Sequence, residues 1–367
     1  MANSTRSRML LTCSLFLAAL AHAGPPRYEL RVLPSPDHCE AYSQWNGLAR
    51  SGRAVAILTC EDGAASKAVT WSGAVLAELS TLGGSSSAPY GIGRNGTIVG
   101  TAETAEAYDE ASKVQRPVAW EAGSARDLGT LGGPLGAATA MNASGLIVGA
   151  SQREPIDPAL GRRPMRACAW EGEKIRDLGD LGGPESVAYD VNERGWIVGS
   201  SMTSSVGSEQ HAFLHDGRTM HDLGTLGGAS SFAWAINERG EVVGYSSPVR
   251  STTPGRLSWR AFVWRDGKMT DLGTRGGRFS EALDVNDRGD IVGWSRLANG
   301  VDHALLWSSG EMLDLNDGTR ARRDCVLTRA TAITDDGAIL ADVRCGGRPR
   351  VALLTPAADV DVAGRAR

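Results

Sequence analysis

Residues 211–246 read HAFLHDGRTMHDLGTLGGASSFAWAINERGEVVGYS, and residues 260–295 read RAFVWRDGKMTDLGTRGGRFSEALDVNDRGDIVGWS. Each copy holds four short segments: an apolar run, a DLG run, an Ala-rich alternating run and a run ending in Val-Gly. Turn chemistry separates them, such as Asp266-Gly267 and Asn286-Asp287-Arg288-Gly289. Short β-rich segments broken by Gly, Asn and Asp read as antiparallel hairpins. No stretch keeps a helical period for several turns, so the chain is all-β.

The same pattern extends both ways along the chain. A basic residue opens the first segment and an acid follows eleven positions later, as Lys67/Glu78, Arg116/Asp127, Arg166/Asp177, His211/Asp222, Arg260/Asp271 and His303/Asp314. Five consecutive units place a turn glycine eighteen residues after the acid, at Gly96, Gly145, Gly195, Gly240 and Gly289. The joining stretches instead vary from nine to sixteen residues. Constant spacing marks hairpins and variable spacing marks surface loops, here 101–115, 150–165, 200–210, 245–259 and 294–302.

At the N-terminal end, Glu29 and Gly52 match the acid and the turn glycine, but no opening segment precedes them. At the C-terminal end, Asp314 and Gly337 do the same, and Arg350–Leu354 then adds a spare opening segment. Seven copies of every segment exist if the chain ends pair. The expectation is a seven-bladed β-propeller of four-stranded blades, its ring closed by the C-terminal strand completing the first blade. The repeat of about 47 residues suits such blades. It forms one domain over 24–358, with 359–367 as a short tail. Which strand lies innermost stays open, because the cut between units is arbitrary.

Arg6 and Arg8, the apolar run Met9–Leu20 and Ala21-His22-Ala23 read as a secretory signal peptide over 1–23. No other apolar stretch is long enough to span a membrane. The expected address is therefore outside the cytoplasm, in periplasm or medium. Loss of Arg6 and Arg8 takes the formal charge from −4 to −6, which argues against a nucleic-acid partner.

Five cysteines follow the leader. The end units are longer, with 23 residues from acid to glycine, and each carries a cysteine ten or eleven residues after its acid and another eight after its glycine. That spacing predicts Cys39–Cys60 and Cys325–Cys345, with cross-blade pairing as the alternative. Cys168 is left as a buried thiol.

The HAFLHDG, RAFVWRDG, DLGTLGG and INERGEVVG strings resemble the HAF-type extracellular repeat of exported bacterial proteins. The resemblance runs from about Tyr28 to Leu354 and is weakest in the end units, which lack the Leu-Gly-Gly turn. It implies export and repeat architecture and brings no catalytic residues with it.

The polar candidates favour structural roles. A ring of the seven acids, Glu29, Glu78, Asp127, Asp177, Asp222, Asp271 and Asp314, suggests a cation site. A hairpin turn at positions five and six after the base would instead set base opposite acid, and the acid can also cap the Gly-rich turn after it. His211 and His303 stand where other units have Arg or Lys, and no metal-ligand spacing accompanies them. Asp284–Asp290 resembles a short calcium loop without repeating its carboxylates. Gly91–Gly96 matches G-x-G-x-x-G but falls at a hairpin turn, without the helix a dinucleotide needs. Trp71, Trp120, Trp170, Trp264 and Trp307 share one repeat position and read as core, while Trp259 stands alone in a linker.

No catalytic, cofactor or metal residue is assigned. The reading is a monomeric, exported, non-enzymatic scaffold that binds a protein, glycan or envelope component through its loops. The alternative is a secreted propeller enzyme acting on carbohydrate as lyase or hydrolase. It would show unpaired acids or histidines that break the sevenfold pattern and converge at the axis. A purely adhesive surface module is the third reading.

Overall fold

The computed structural model describes residues 28–61, 65–109, 112–157, 160–204, 209–248, 257–319 and 324–357. The segment expected to be a signal peptide, residues 24–27 and 358, the expected tail and the Arg-rich stretch 320–323 lie outside the described residues.

Seven four-stranded sheets form the blades of a β-propeller. In blade 4 the strands Ser186–Val191, Ile197–Met202, Gln210–His215 and Met220–Asp222 pair antiparallel in chain order. The first of these is innermost, packing against the first strands of both neighbouring blades. The first strands of blades 1 to 7 are Cys39–Leu48, Gly83–Ile92, Gly132–Met141, Ser186–Val191, Gly227–Ile236, Gly276–Val285 and Cys325–Ile333. The Ala-rich run is thus the axial strand, and Ala138, Ala188, Ala233, Ala282 and Ala330 are fully buried there. Strands crowd most closely near the axis, where only small side chains fit between blades.

The chain ends close the ring. Tyr28–Val32 pairs antiparallel with Arg348–Pro356, Leu30 facing Leu354, and forms the outer edge of blade 7. Counted from the axis, the first strand completes the last blade. Both disulfides are local and join residues directly opposite each other, Cys39 to Cys60 and Cys325 to Cys345, in the two blades beside this seam. Cys168 is a free buried thiol, and its burial pushes the pKa well up.

A β-bulge recurs in the axial strands, for example at Tyr90, Thr139, Tyr189, Trp234, Leu283 and Thr331. It explains the Val-Gly signature. A Cβ on Gly199 would stand 2.0 Å from the Val187 carbonyl oxygen, and one on Gly244 would stand 1.8 Å from that of Phe232. The bulged backbone comes too close for any side chain.

The repeated tryptophans are core, as their position predicts. Trp71, Trp120 and Trp170 are at most 1 % exposed. Their indole N–H groups donate to the carbonyls of Pro34, Ser80 and Gly129 in the preceding connection, tying blade to blade. Trp264 is half-buried in the same packing.

Candidate functional site

The six base/acid pairs lie on the two outer strands of their blades, at the rim of the ring. Contacts form in five: Lys67–Glu78 at 3.9 Å, Arg116–Asp127 at 3.5 Å, Arg166–Asp177 at 3.4 Å, His211–Asp222 at 2.8 Å and His303–Asp314 at 2.7 Å. Arg260 and Asp271 form no ion pair, and the Arg260 Nε is buried without a partner. The pairing geometry corrects the expected one. The turn falls one residue later, at Ala122-Gly123, so Asp127 faces Val118 and meets Arg116 diagonally. The steadier role of the acid is to accept the N–H two residues on, at Gly129, Gly179, Gly224 and Gly273 (2.7–2.9 Å). Glu29, exposed on the edge strand, faces Thr355. The seven acids line no channel.

The axial channel has two unlike ends. At the end formed by the Asn-x-x-Gly turns, the second turn position carries Arg50, Arg94, Ala143, Glu193, Glu238, Asp287 and Asp335 in order around a mouth of about 170 Å³. Each acid accepts the equivalent backbone N–H of the preceding blade: Ala143 to Glu193, Glu193 to Glu238, Glu238 to Asp287 and Asp287 to Asp335, at 2.9–3.0 Å. Arg94 reaches over the mouth to Glu193 at 3.2 Å, Glu238 at 3.9 Å and Asp287 at 4.0 Å, and Arg50 pairs with Asp335. These charges are spent on one another in a girdle. Gly91–Gly96 and Asp284–Asp290 take part as turns: Gly93 accepts from Gly96, and Asn286 Oδ1 accepts the N–H of Arg288 and Asp290.

Within the channel, burial pushes the Asp190 carboxyl up to about 8, against the pull of the Ile236 N–H, and that of Asp284 up to about 6, against the Ile333 N–H. Asn46 reaches across the axis to Asp190 at 3.2 Å. Beside it Trp45 of blade 1 meets Trp234 of blade 5 at 5.2 Å, with Tyr90 and Tyr189 packed on either side. This aromatic plug fills the waist of the channel.

The opposite face carries the variable loops. Phe232, Tyr245, Trp259 and Phe279 run outward from the plug in series, with ring centroids 4.9, 6.0 and 4.2 Å apart. Trp259, the linker outlier, is half-buried against Phe279. Beside the rings stands Glu281, directly opposite Trp294 on the neighbouring strand. Burial raises the Glu281 carboxyl, and Arg329 and the indole N–H groups of Trp294 and Trp259 pull it back in part. Those two N–H groups face the carboxyl without full hydrogen-bond geometry and have no other partner.

Four acids therefore break the sevenfold pattern along the channel. Asp190, Asp284 and Asp342 are held by backbone N–H groups of Ile236, Ile333 and Ser43. Among the described residues Glu281 alone of the four accepts no hydrogen bond of full geometry. Sequence reasoning passed over it because it repeats nowhere. Its signal was the column it occupies, where other blades have Ala88, Ala137, Val187 and Phe232.

No protein-family model and no curated protein sequence matches the chain. Solved structures share the fold. The β-propeller domain of the Trilobed protease from Pyrococcus furiosus is similar at 10% identity and a TM-score of 0.53, over 88% of this chain and 94% of that one. Pyrococcus horikoshii acylaminoacyl peptidase is similar at 12% identity and 0.54, over 86% of this chain and 51% of that one. At such identity the likeness speaks for the propeller alone.

Proposed function

We propose that this chain is an exported HAF-type repeat protein that acts as a binding scaffold, engaging an extracellular or envelope partner with the loop face of its ring. The observation that carries this is where the exposed large apolar side chains lie. Among the described residues there are seven, and Tyr108, Ile156, Leu257 and Val301 each project from a different variable loop. Tyr42 and Val326 flank the same face on axial strands, and only Val75 lies in a turn on the other face. Six of the seven thus stand on or beside the loop face and one on the other, and that asymmetry favours the loop face as the interaction surface.

The two disulfides suit an oxidising compartment, and no described helix is long and apolar enough to cross a membrane. A binding role is favoured over carbohydrate cleavage by the state of the axial acids. Glycoside hydrolysis uses two carboxyl groups on either side of one bond, and three of the four here are bound to backbone.

The test is hydroxyl-radical footprinting of the mature chain with and without whole cells of its source bacterium. Protection of Tyr108, Ile156, Leu257 and Val301, with Val75 unprotected, is the expected pattern. Equal protection on both faces, or none, would refute the loop-face reading.

A further inference from the structure

We propose that the row of rings between blades 5 and 6 is a carbohydrate subsite, shaped for a pyranose ring that carries a carboxylate, as in a uronic-acid polysaccharide. This deepens the loop-face reading and rests on it.

The ring faces come first. Phe232, Tyr245, Trp259 and Phe279 are all half-buried, so each keeps one part open along a continuous strip. Flat, rigid, amphipathic surface of this kind suits the apolar face of a sugar ring. The acceptor comes next. The buried indole N–H groups of Trp294 and Trp259 face the Glu281 carboxyl and have no other partner. Glu281 is itself half-buried and keeps oxygen lone pairs to spare, so a sugar hydroxyl can donate to it, which a purely apolar ligand cannot do.

The cations select the acid. Arg296 is fixed by Asp302 through two contacts of 2.8 and 3.0 Å and lies over Phe279 and Trp294 at 5.2 and 5.8 Å. Arg278 stacks on Phe279 at 5.4 Å and Arg329 on Trp294 at 5.9 Å. Both are exposed, and among the described residues neither has a carboxylate within salt-bridge distance. A guanidinium is the planar two-point partner of a carboxylate. A neutral sugar would leave Arg278 without an anionic partner; a uronate engages it.

The experiment titrates the oxidised protein with tetragalacturonate and, separately, with neutral cellotetraose, following tryptophan emission and saturation-transfer NMR. Tetragalacturonate should bind saturably and at least about tenfold more tightly than cellotetraose, the scale of one charged hydrogen bond. Arg278→Ala, an exposed position, should weaken binding by about tenfold with an unchanged melting temperature. Glu281→Gln should weaken it as well. The proposal is overturned if neither sugar saturates the signal, if both bind equally, or if Arg278→Ala binds like the parent. Footprinting on cells still decides the loop-face reading in that event, so the two can fail separately.

Discussion

The side-chain amide of Asn192 donates to the main-chain carbonyl of Asn237, one blade on, at 3.1 Å. Asn142 does the same to Asn192, Asn237 to Asn286 and Asn286 to Thr334, all at 3.0–3.1 Å and all buried. Five consecutive blades are linked this way. The other end of each amide works inside its own turn: Asn192 Oδ1 accepts the N–H groups of Arg194 and Trp196. Asparagine is needed because it joins a donor to an acceptor on one short stem.

Asn192→Ala loses both halves and should destabilise the ring by about 1–3 kcal/mol. Asn192→Asp keeps the acceptor and should fall between the variant and the parent. Urea denaturation gives the order, and an Asp variant as weak as the Ala variant would contradict it.

Two classes of glycine should separate in the same assay. At Gly199 a Cβ would meet the Val187 carbonyl oxygen at 2.0 Å and the Phe213 ring at 2.8 Å. Gly199→Ala should therefore cost about 1–3 kcal/mol or more through forced backbone movement. Gly145 has open space around it and a φ of +88°. Gly145→Ala should cost only the left-handed penalty, about 1–2 kcal/mol.

Acidity should stabilise the fold through the channel acids. The folded protein holds the Asp190 proton up to about pH 8 and the Asp284 proton up to about pH 6, against an ordinary value of 3.8. Between those limits the unfolded chain binds fewer protons, so stability falls as pH rises. Asp284 and Glu238 face Asp190 and add to its shift. The rim works in the opposite direction: burial pushes Asp314 up, but His303 and Asn316 hold it on balance below its ordinary value. Difference curves isolate the channel. Asp190→Asn should reduce the fall of melting temperature with pH over about pH 4–8, and Asp284→Asn should reduce it over about pH 4–6 only.

Each disulfide closes a short loop, with sequence separations of 21 and 20 residues. Loops of that length give about 3 kcal/mol. Cys39→Ser with Cys60→Ser should lower stability by that amount and speed amide exchange along Arg348–Pro356 more than in blade 4. Uniform exchange around the ring would show that the seam is no weaker than the rest.

Blade number and closure were legible because Glu29, Asp314 and the spare Arg350–Leu354 segment keep the register of the other units. The innermost strand was not legible, since a repeat has no phase until Ala188 or Ala233 is seen against its neighbours. The pairing of Arg116 with Asp127 was misplaced by one residue, because Ala122 and not Glu121 takes the positive φ that opens the turn. The loop-face cluster escaped for a different reason. Glu281, Trp259, Trp294 and Arg329 come from different strands and loops of blades 5 to 7, and periodicity conceals residues that do not repeat. Arg94 was likewise hidden inside a turn that looks like any other Gly-x-x-Gly.

The shared sheet of blade 7 also sets a timetable. Among the propeller's strands Tyr28–Val32 is made before all others, but its partner Arg348–Pro356 is made after them. Throughout synthesis the growing chain therefore carries an unpaired leading strand and a moving open flank, both able to pair with other chains. The Cys39–Cys60 hairpin can form as soon as its own residues emerge, whereas the ring exists only when the last turn has been delivered. A chain cut short before Arg348 would keep most blades and still have no circle to close.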